Sequence, residues 1–153
     1  MSKIFVVEKN VDNWEEALKC TGETLYKNNC VVEEFAEKCI ERERSYPTGL
    51  IETIPVAIPH ASKDYVREQA ICCLRLEKPV KFHSMEDWDM EVNVRYVLNL
   101  ALLDDSEHIK IITRVIRSLK DPQFLVKMDN CDSEQLKTLL EDYFLSDKLD
   151  DAA

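Results

Sequence analysis

The stretch Arg42-Glu43-Arg44-Ser45-Tyr46-Pro47-Thr48-Gly49-Leu50, followed by Val56-Ala57-Ile58-Pro59-His60-Ala61, organises the reading of this chain. A cationic helix end leads into a turn marked by Pro47 and Gly49, then into a short apolar run that stops at a histidine. Gly49 is one of only two glycines in the chain, so its use here points to a backbone position that needs it. Pro59 fixes its own φ and pushes Ile58 toward an extended conformation. The run therefore reads as a strand that ends by presenting His60 in a defined direction at an open rim. Imidazole mounted in this way suits reversible nucleophilic work. On His60 alone, an ordinary strand end that carries a histidine is the better account, and the wider pattern is what changes that weighting.

Working outward toward the N-terminus, Ile4 to Val7 reads as a first strand. Asp12 with Glu15 fits a capping box. Val11, Trp14, Leu18, Thr21 and Leu25 then recur at helical spacing until Asn28-Asn29. A second helix carries Val32, Phe35, Ala36, Cys39 and Ile40 on one face. It delivers Arg42 and Arg44 to its last turn, where cations complement the helix dipole.

Toward the C-terminus, Ile54 to Ile58 is extended and Ala70 to Leu76 is an apolar, buried strand. Residues 77–91 are polar, broken by Pro79, and read mostly as loop. Val92 to Leu103 is the longest strand, with Val92, Val94, Tyr96, Leu98, Leu100 and Leu102 on alternate positions. Ser106 fits an N-cap for a helix with Ile109, Ile112, Val115, Ile116 and Leu119 inward. Asp121-Pro122 starts a short helix around Phe124 to Met128. Ser133 opens a last helix with Leu136, Leu139, Leu140, Tyr143 and Phe144 inward. Strands interleaved with helices imply one α/β domain with helices on both faces of a sheet. The domain is expected over residues 1–145, with 146–153 a polar, flexible tail.

A length of 153 residues fits one domain with a substantial core. Thirty acidic against twenty basic residues give a net charge of −10, which argues against nucleic acid or an anionic membrane as partner. No apolar run reaches the length of a membrane-spanning helix, so direct membrane insertion is not expected. The N-terminal apolar stretch is too short for a signal peptide, and the expected location is cytoplasmic. Six cysteines stand at 20, 30, 39, 72, 73 and 131 without a C-x-x-C pair; they read as small hydrophobes in a reducing compartment. Adjacent Cys72 and Cys73 would point to opposite faces of a strand.

Taken together, Arg42-Glu43, Pro47-Thr48-Gly49, Ala57-Ile58-Pro59-His60 and the later Asp104-Asp105-Ser106-Glu107-His108-Ile109 resemble the enzyme IIA family of the sugar phosphotransferase system, fructose–mannitol type. The Pro47-Thr48-Gly49-Leu50 form and the spacing to Ala57-Ile58-Pro59-His60 look most like the galactitol branch. The resemblance runs from about residue 41 to about residue 119. The segment Leu50-Ile51-Glu52-Thr53-Ile54-Pro55 departs from it, being longer than in many relatives and lacking their glycine-rich turn.

The resemblance implies a mixed sheet flanked by helices. It also implies a phosphocarrier in which His60 takes a phosphoryl group from the phosphohistidine carrier HPr and passes it to a cysteine of a IIB component. Neutral imidazole suits that role because its pKa lies near neutrality. His108, in the first turn of its helix where free N–H groups welcome an anion, matches the family's second histidine, which implies that it hydrogen-bonds the phosphoryl group or orients His60. Arg42 matches the motif arginine and would clamp phosphate oxygens with its planar fork; Arg44 is the near competitor. His83 matches nothing and receives no role. No metal-ligand spacing joins the three histidines, no G-x-S-x-G elbow supports Ser62 as a nucleophile, and no P-loop argues for direct ATP use. No cofactor is expected. The alternative is a regulatory IIA-like binding module controlled by phosphorylation of His60.

Overall fold

The computed structural model describes residues 3–103, 106–147 and 150. Among these, a five-stranded mixed sheet of order β1-β4-β5-β3-β2 carries five α-helices on its two faces. The strands are β1 (Lys3–Glu8), β2 (Gly49–Leu50), β3 (Val56–Ala57), β4 (Ala70–His83) and β5 (Glu91–Ala101). The helices are α1 (Trp14–Lys27), α2 (Phe35–Ser45), α3 (Ser106–Leu119), α4 (Pro122–Asp129) and α5 (Ser133–Leu140), the last continued by a π-helical turn over Glu141–Leu145. β1 runs parallel to β4 and β3 parallel to β5, while the β4–β5 and β2–β3 pairs are antiparallel.

Two apolar cores follow from strand alternation. On one face Leu18, Leu25, Phe35 and Cys39 of α1 and α2 pack on Cys72, Leu74 and Val97. On the other, Val115, Phe124, Leu136 and Phe144 pack on Ile71, Cys73 and Leu98. Cys72 and Cys73 do point to opposite faces, and all six cysteines are free. Burial pushes the Cys39 and Cys73 thiols up to about 12, which keeps them protonated and inert.

Several boundaries differ from the sequence expectation, each for a local reason. The N-cap of α1 is Asn13, which accepts from the Glu16 N–H at 2.9 Å, while the Glu16 carboxylate reaches back to the Asp12 N–H at 2.8 Å. The capping device is thus present but sits one residue later than an Asp12–Glu15 box. Likewise the cap of α5 is Asp132, in a full capping box with Gln135, and Ser133 is the first helical residue. Asn28 and Asn29 end α1 as expected; Asn29 takes the left-handed conformation at φ 60°.

β4 does not stop at Leu76. It continues to His83, so the segment expected to be loop shrinks to 84–90. Pro79, which suggested a break, lies within a register shift between Arg75 and Val80, where a missing N–H costs the ladder nothing. β5 ends at Ala101 rather than Leu103. Ser106 is the first described residue of α3, and the motif's Asp104 and Asp105 fall outside the described residues. In the expected tail, Asp150 is gripped by Arg114 at 2.9 Å and Arg117 at 3.2 Å.

Gly49 is not a turn residue. It lies in β2 opposite Ala57, and a Cβ there would stand 2.6 Å from the carbonyl oxygen of His83. The glycine is needed for close approach of two backbones, not for a positive φ.

Candidate functional site

β3 is short because Pro55 and Pro59 bracket it, and neither has an N–H to give. Their carbonyls still accept, from Arg95 N and Leu100 N, both at 3.0 Å. The parallel register with β5, Val56 opposite Tyr96 and Ala57 opposite Val97, resumes after Pro59 with His60 opposite Leu100. His60 is thus pinned at the carboxyl end of a parallel strand, where open α/β sheets place their sites.

Topology brings two further elements to that end. β5, parallel to β3, exits there into α3, whose first turn carries His108. β2 is antiparallel to β3, so its start, Gly49, sits beside the end of β3; α2, which feeds β2, delivers its last turn and Arg42 to the same place.

The electrostatics register this convergence. His60 is half-buried, and its pKa lies below the ordinary imidazole value, chiefly because burial disfavours the cation; the charges of Arg42 and His108 push the same way. Its Nδ1 lies 3.1 Å from the Ile58 carbonyl oxygen. A carbonyl only accepts, so Nδ1 carries the proton and Nε2 holds the lone pair. The site is therefore a neutral imidazole, nucleophilic at Nε2, with an arginine and a second histidine within electrostatic reach.

Arg42 and Arg44 part company. They lie two residues apart on a helix and project in nearly opposite directions. Arg42 is exposed, stacks over the Tyr46 ring at 5.3 Å and acts on His60. Arg44 lines a cleft of about 260 Å³ with Trp14, Glu43, Pro47, Phe82, His83 and Trp88. His83 Nδ1 contacts the Trp88 carbonyl at 2.8 Å.

Sequence reasoning assigned no task to Glu43 or Thr48, although both lie in the motif. Glu43 is 5% exposed, and its two carboxylate oxygens accept from the Thr48 N–H at 2.7 Å and the Thr48 hydroxyl at 2.9 Å. Burial raises its pKa to about 7, with the two Thr48 bonds opposing. A charged residue flanked by two arginines reads as solvated; only the tertiary contact reveals that it is buried.

Residues 1–143 match the profile of the phosphoenolpyruvate-dependent sugar phosphotransferase system, EIIA 2. The chain belongs to this EIIA family. The EIIA chain is 27% identical over 131 residues to the galactitol-specific EIIA component of Escherichia coli strain K12, a match spanning 85% of this chain and 87% of that protein. It is 32% identical over 117 residues to the mannitol-specific EIICBA component of the same strain, spanning 74% of this chain and 17% of the larger protein. Among solved structures it superimposes on one chain of the complex of enzyme IIA and phosphorylated enzyme IIB of the E. coli mannitol system with a TM-score of 0.73, at 26% identity, covering 92% of this chain and 98% of that chain. This EIIA chain is thus a phosphotransferase component of the phosphohistidine-relay type. Among its described residues no helix is long and apolar enough to cross a membrane.

Proposed function

We propose that this EIIA protein is cytoplasmic, accepts a phosphoryl group on His60 from phospho-HPr and hands it to a cysteine of a IIB component, in uptake of galactitol or a related sugar alcohol. The observation that carries the reading is the Nδ1 contact with Ile58 beside Arg42 and His108. Nε2 of His60 attacks phosphorus as the P–N bond to the donor histidine breaks. The ring gains positive charge as the new P–N bond forms, and the Ile58 carbonyl accepting from Nδ1–H stabilises it. Arg42 and His108 meet the negative oxygens of the moving group. In the second half-reaction the IIB thiolate attacks phosphorus, the P–N bond breaks, and His60 returns to its neutral tautomer.

Ile109, expected to face inward with Ile112, is instead 65% exposed directly after His108, as Ile112 is exposed one turn on; Ile109 and the exposed Ile51 supply apolar surface for docking a protein partner. The galactitol assignment draws on the similarity to the galactitol-specific component, which spans most of both chains.

The test is incubation with phosphoenolpyruvate, enzyme I and HPr, followed by intact mass. One phosphoryl group should be gained by the wild type and none by folded His60→Gln. Equal labelling of both would sink the assignment of His60. Competing purified galactitol and mannitol IIB proteins as acceptors then tests the branch; faster discharge to mannitol IIB would reject the galactitol reading.

A further inference from the structure

We propose that Glu43 is a positioning residue for His60, acting by withdrawing the Thr48 N–H from the strand ladder so that the Ile58 carbonyl is left for the imidazole. This rests on the reading of His60 as the phosphoryl acceptor.

The register makes the case. Gly49 faces Ala57 and Leu50 faces Val56, so the same count sets Thr48 opposite Ile58. The Ile58 N–H donates to the Thr48 carbonyl at 3.2 Å. A facing antiparallel pair with that bond ordinarily exchanges both, the Thr48 N–H returning to the Ile58 carbonyl. Here it does not. The Thr48 N–H donates to Glu43 Oε2 at 2.7 Å, and the Ile58 carbonyl lies 3.1 Å from His60 Nδ1. One carboxylate has taken a donor out of the ladder, and the imidazole has taken its place.

The second Glu43 oxygen fixes the exchange by accepting the Thr48 hydroxyl at 2.9 Å. Both bonds go to one residue, which holds Thr48 as a unit. Glu43 makes no ion pair among the described residues, and Arg42 and His83 act on it only through their charge; burying a carboxylate in this way is costly, and sheet closure alone would have been served by the ordinary ladder bond. What the arrangement supplies is an acceptor aimed at Nδ1. That acceptor holds the ring with its proton on Nδ1 and its lone pair on Nε2, the nitrogen that must attack.

Without Glu43, the Thr48 N–H can return to the Ile58 carbonyl and compete with Nδ1–H. The tautomer should then become mixed. The decisive variant is Glu43→Leu, which fills a similar volume and leaves no carboxylate. Its readouts are the ¹⁵N shifts of the His60 ring, which report the tautomer, and the rate of phosphoryl acceptance from phospho-HPr. Glu43→Leu should move the ring shifts toward a tautomer mixture and slow acceptance roughly tenfold, the scale of one hydrogen bond. Glu43→Gln keeps an oxygen for the Thr48 N–H and should restore the wild-type shifts, with acceptance within about threefold of wild type. Should Glu43→Leu fail to fold, Thr48→Val removes one of the two bonds and reads the same ring signals, with a smaller shift expected in the same direction. Wild-type ring shifts in the folded variant would overturn the proposal. A wild type that takes no phosphoryl group would instead reject His60 as acceptor, while the ring shifts still judge Glu43.

Discussion

Nδ1 of His60 points back along its own strand to the carbonyl oxygen of Ile58, 3.1 Å away. Two residues apart in sequence, with Pro59 between them, they form a closed loop that settles the protonation pattern of the ring. The phosphoryl group is therefore expected on Nε2. Because burial holds the His60 pKa below its ordinary value of 6.5, the neutral ring persists as pH falls through 6.5. The loss of acceptance from phospho-HPr that accompanies ring protonation should therefore have its midpoint below pH 6.5. A phosphoryl group found on Nδ1 by ¹H–¹⁵N–³¹P correlation, or a midpoint above 6.5 in the His60 ring titration, would contradict this.

Arg42 is expected to matter more than Arg44. Its charge contributes to the lowered His60 pKa, so Arg42→Gln should move that pKa upward in an NMR titration, while Arg44→Gln should leave it in place. Arg42→Lys should already slow transfer, because a point charge cannot reproduce the two-pronged grip on phosphate oxygens. A larger defect at Arg44 would reverse the assignment.

His108→Ala should leave His60 able to be labelled but slow the relay, chiefly in discharge to IIB. Loss of one charge-assisted hydrogen bond corresponds to roughly 1.5–3 kcal/mol, or a drop on the order of tenfold to a hundredfold. Stopped-flow or quench measurements of each half-reaction decide it; wild-type rates in both would remove His108 from the site.

Gly49→Ala should destabilise the protein by about 1–3 kcal/mol through overpacking, because the new methyl would meet the rigid His83 carbonyl at 2.6 Å. Gly22→Ala tests the same idea in a helix. Propensity alone predicts a gain of about 1 kcal/mol, yet the added Cβ would stand 2.5 Å from Ala36 Cβ and force α1 away from α2. Urea unfolding should show both variants less stable than wild type.

Glu43 should leave a signature in the pH dependence of stability. Its folded pKa, about 7, lies above the ordinary 4.5. Between those values the folded protein holds a proton that the unfolded chain has released, so the wild type loses stability as pH rises across that window. The loss from this one group is up to about 3 kcal/mol, complete above pH 7 and absent below 4.5. Glu43→Gln removes the titration. Its stability relative to wild type should rise between pH 5 and pH 8 in paired urea melts; a constant difference would refute the buried ionisation.

Alternation and helical spacing were enough to read the α/β class, most elements and the opposite outlooks of Cys72 and Cys73, because burial of one face imposes a period on the residues that cover it. The family motif, which is local in sequence, named His60, His108 and Arg42 as the candidate residues. Other features were settled across the fold. Pro79 looked like a stop until a register shift opposite β5 accommodated it. Gly49 looked like a turn until the His83 backbone lay against it. Arg42 and Arg44 are equivalent in composition and local spacing, and only the placement of α2 against β2 and β3 sends one toward His60 and the other to the Trp14–Trp88 cleft. The task inferred for Glu43 depends on which strand partner Thr48 faces. Such pairings join residues far apart or on different elements, and no periodicity along the chain encodes where a displaced hydrogen bond will go.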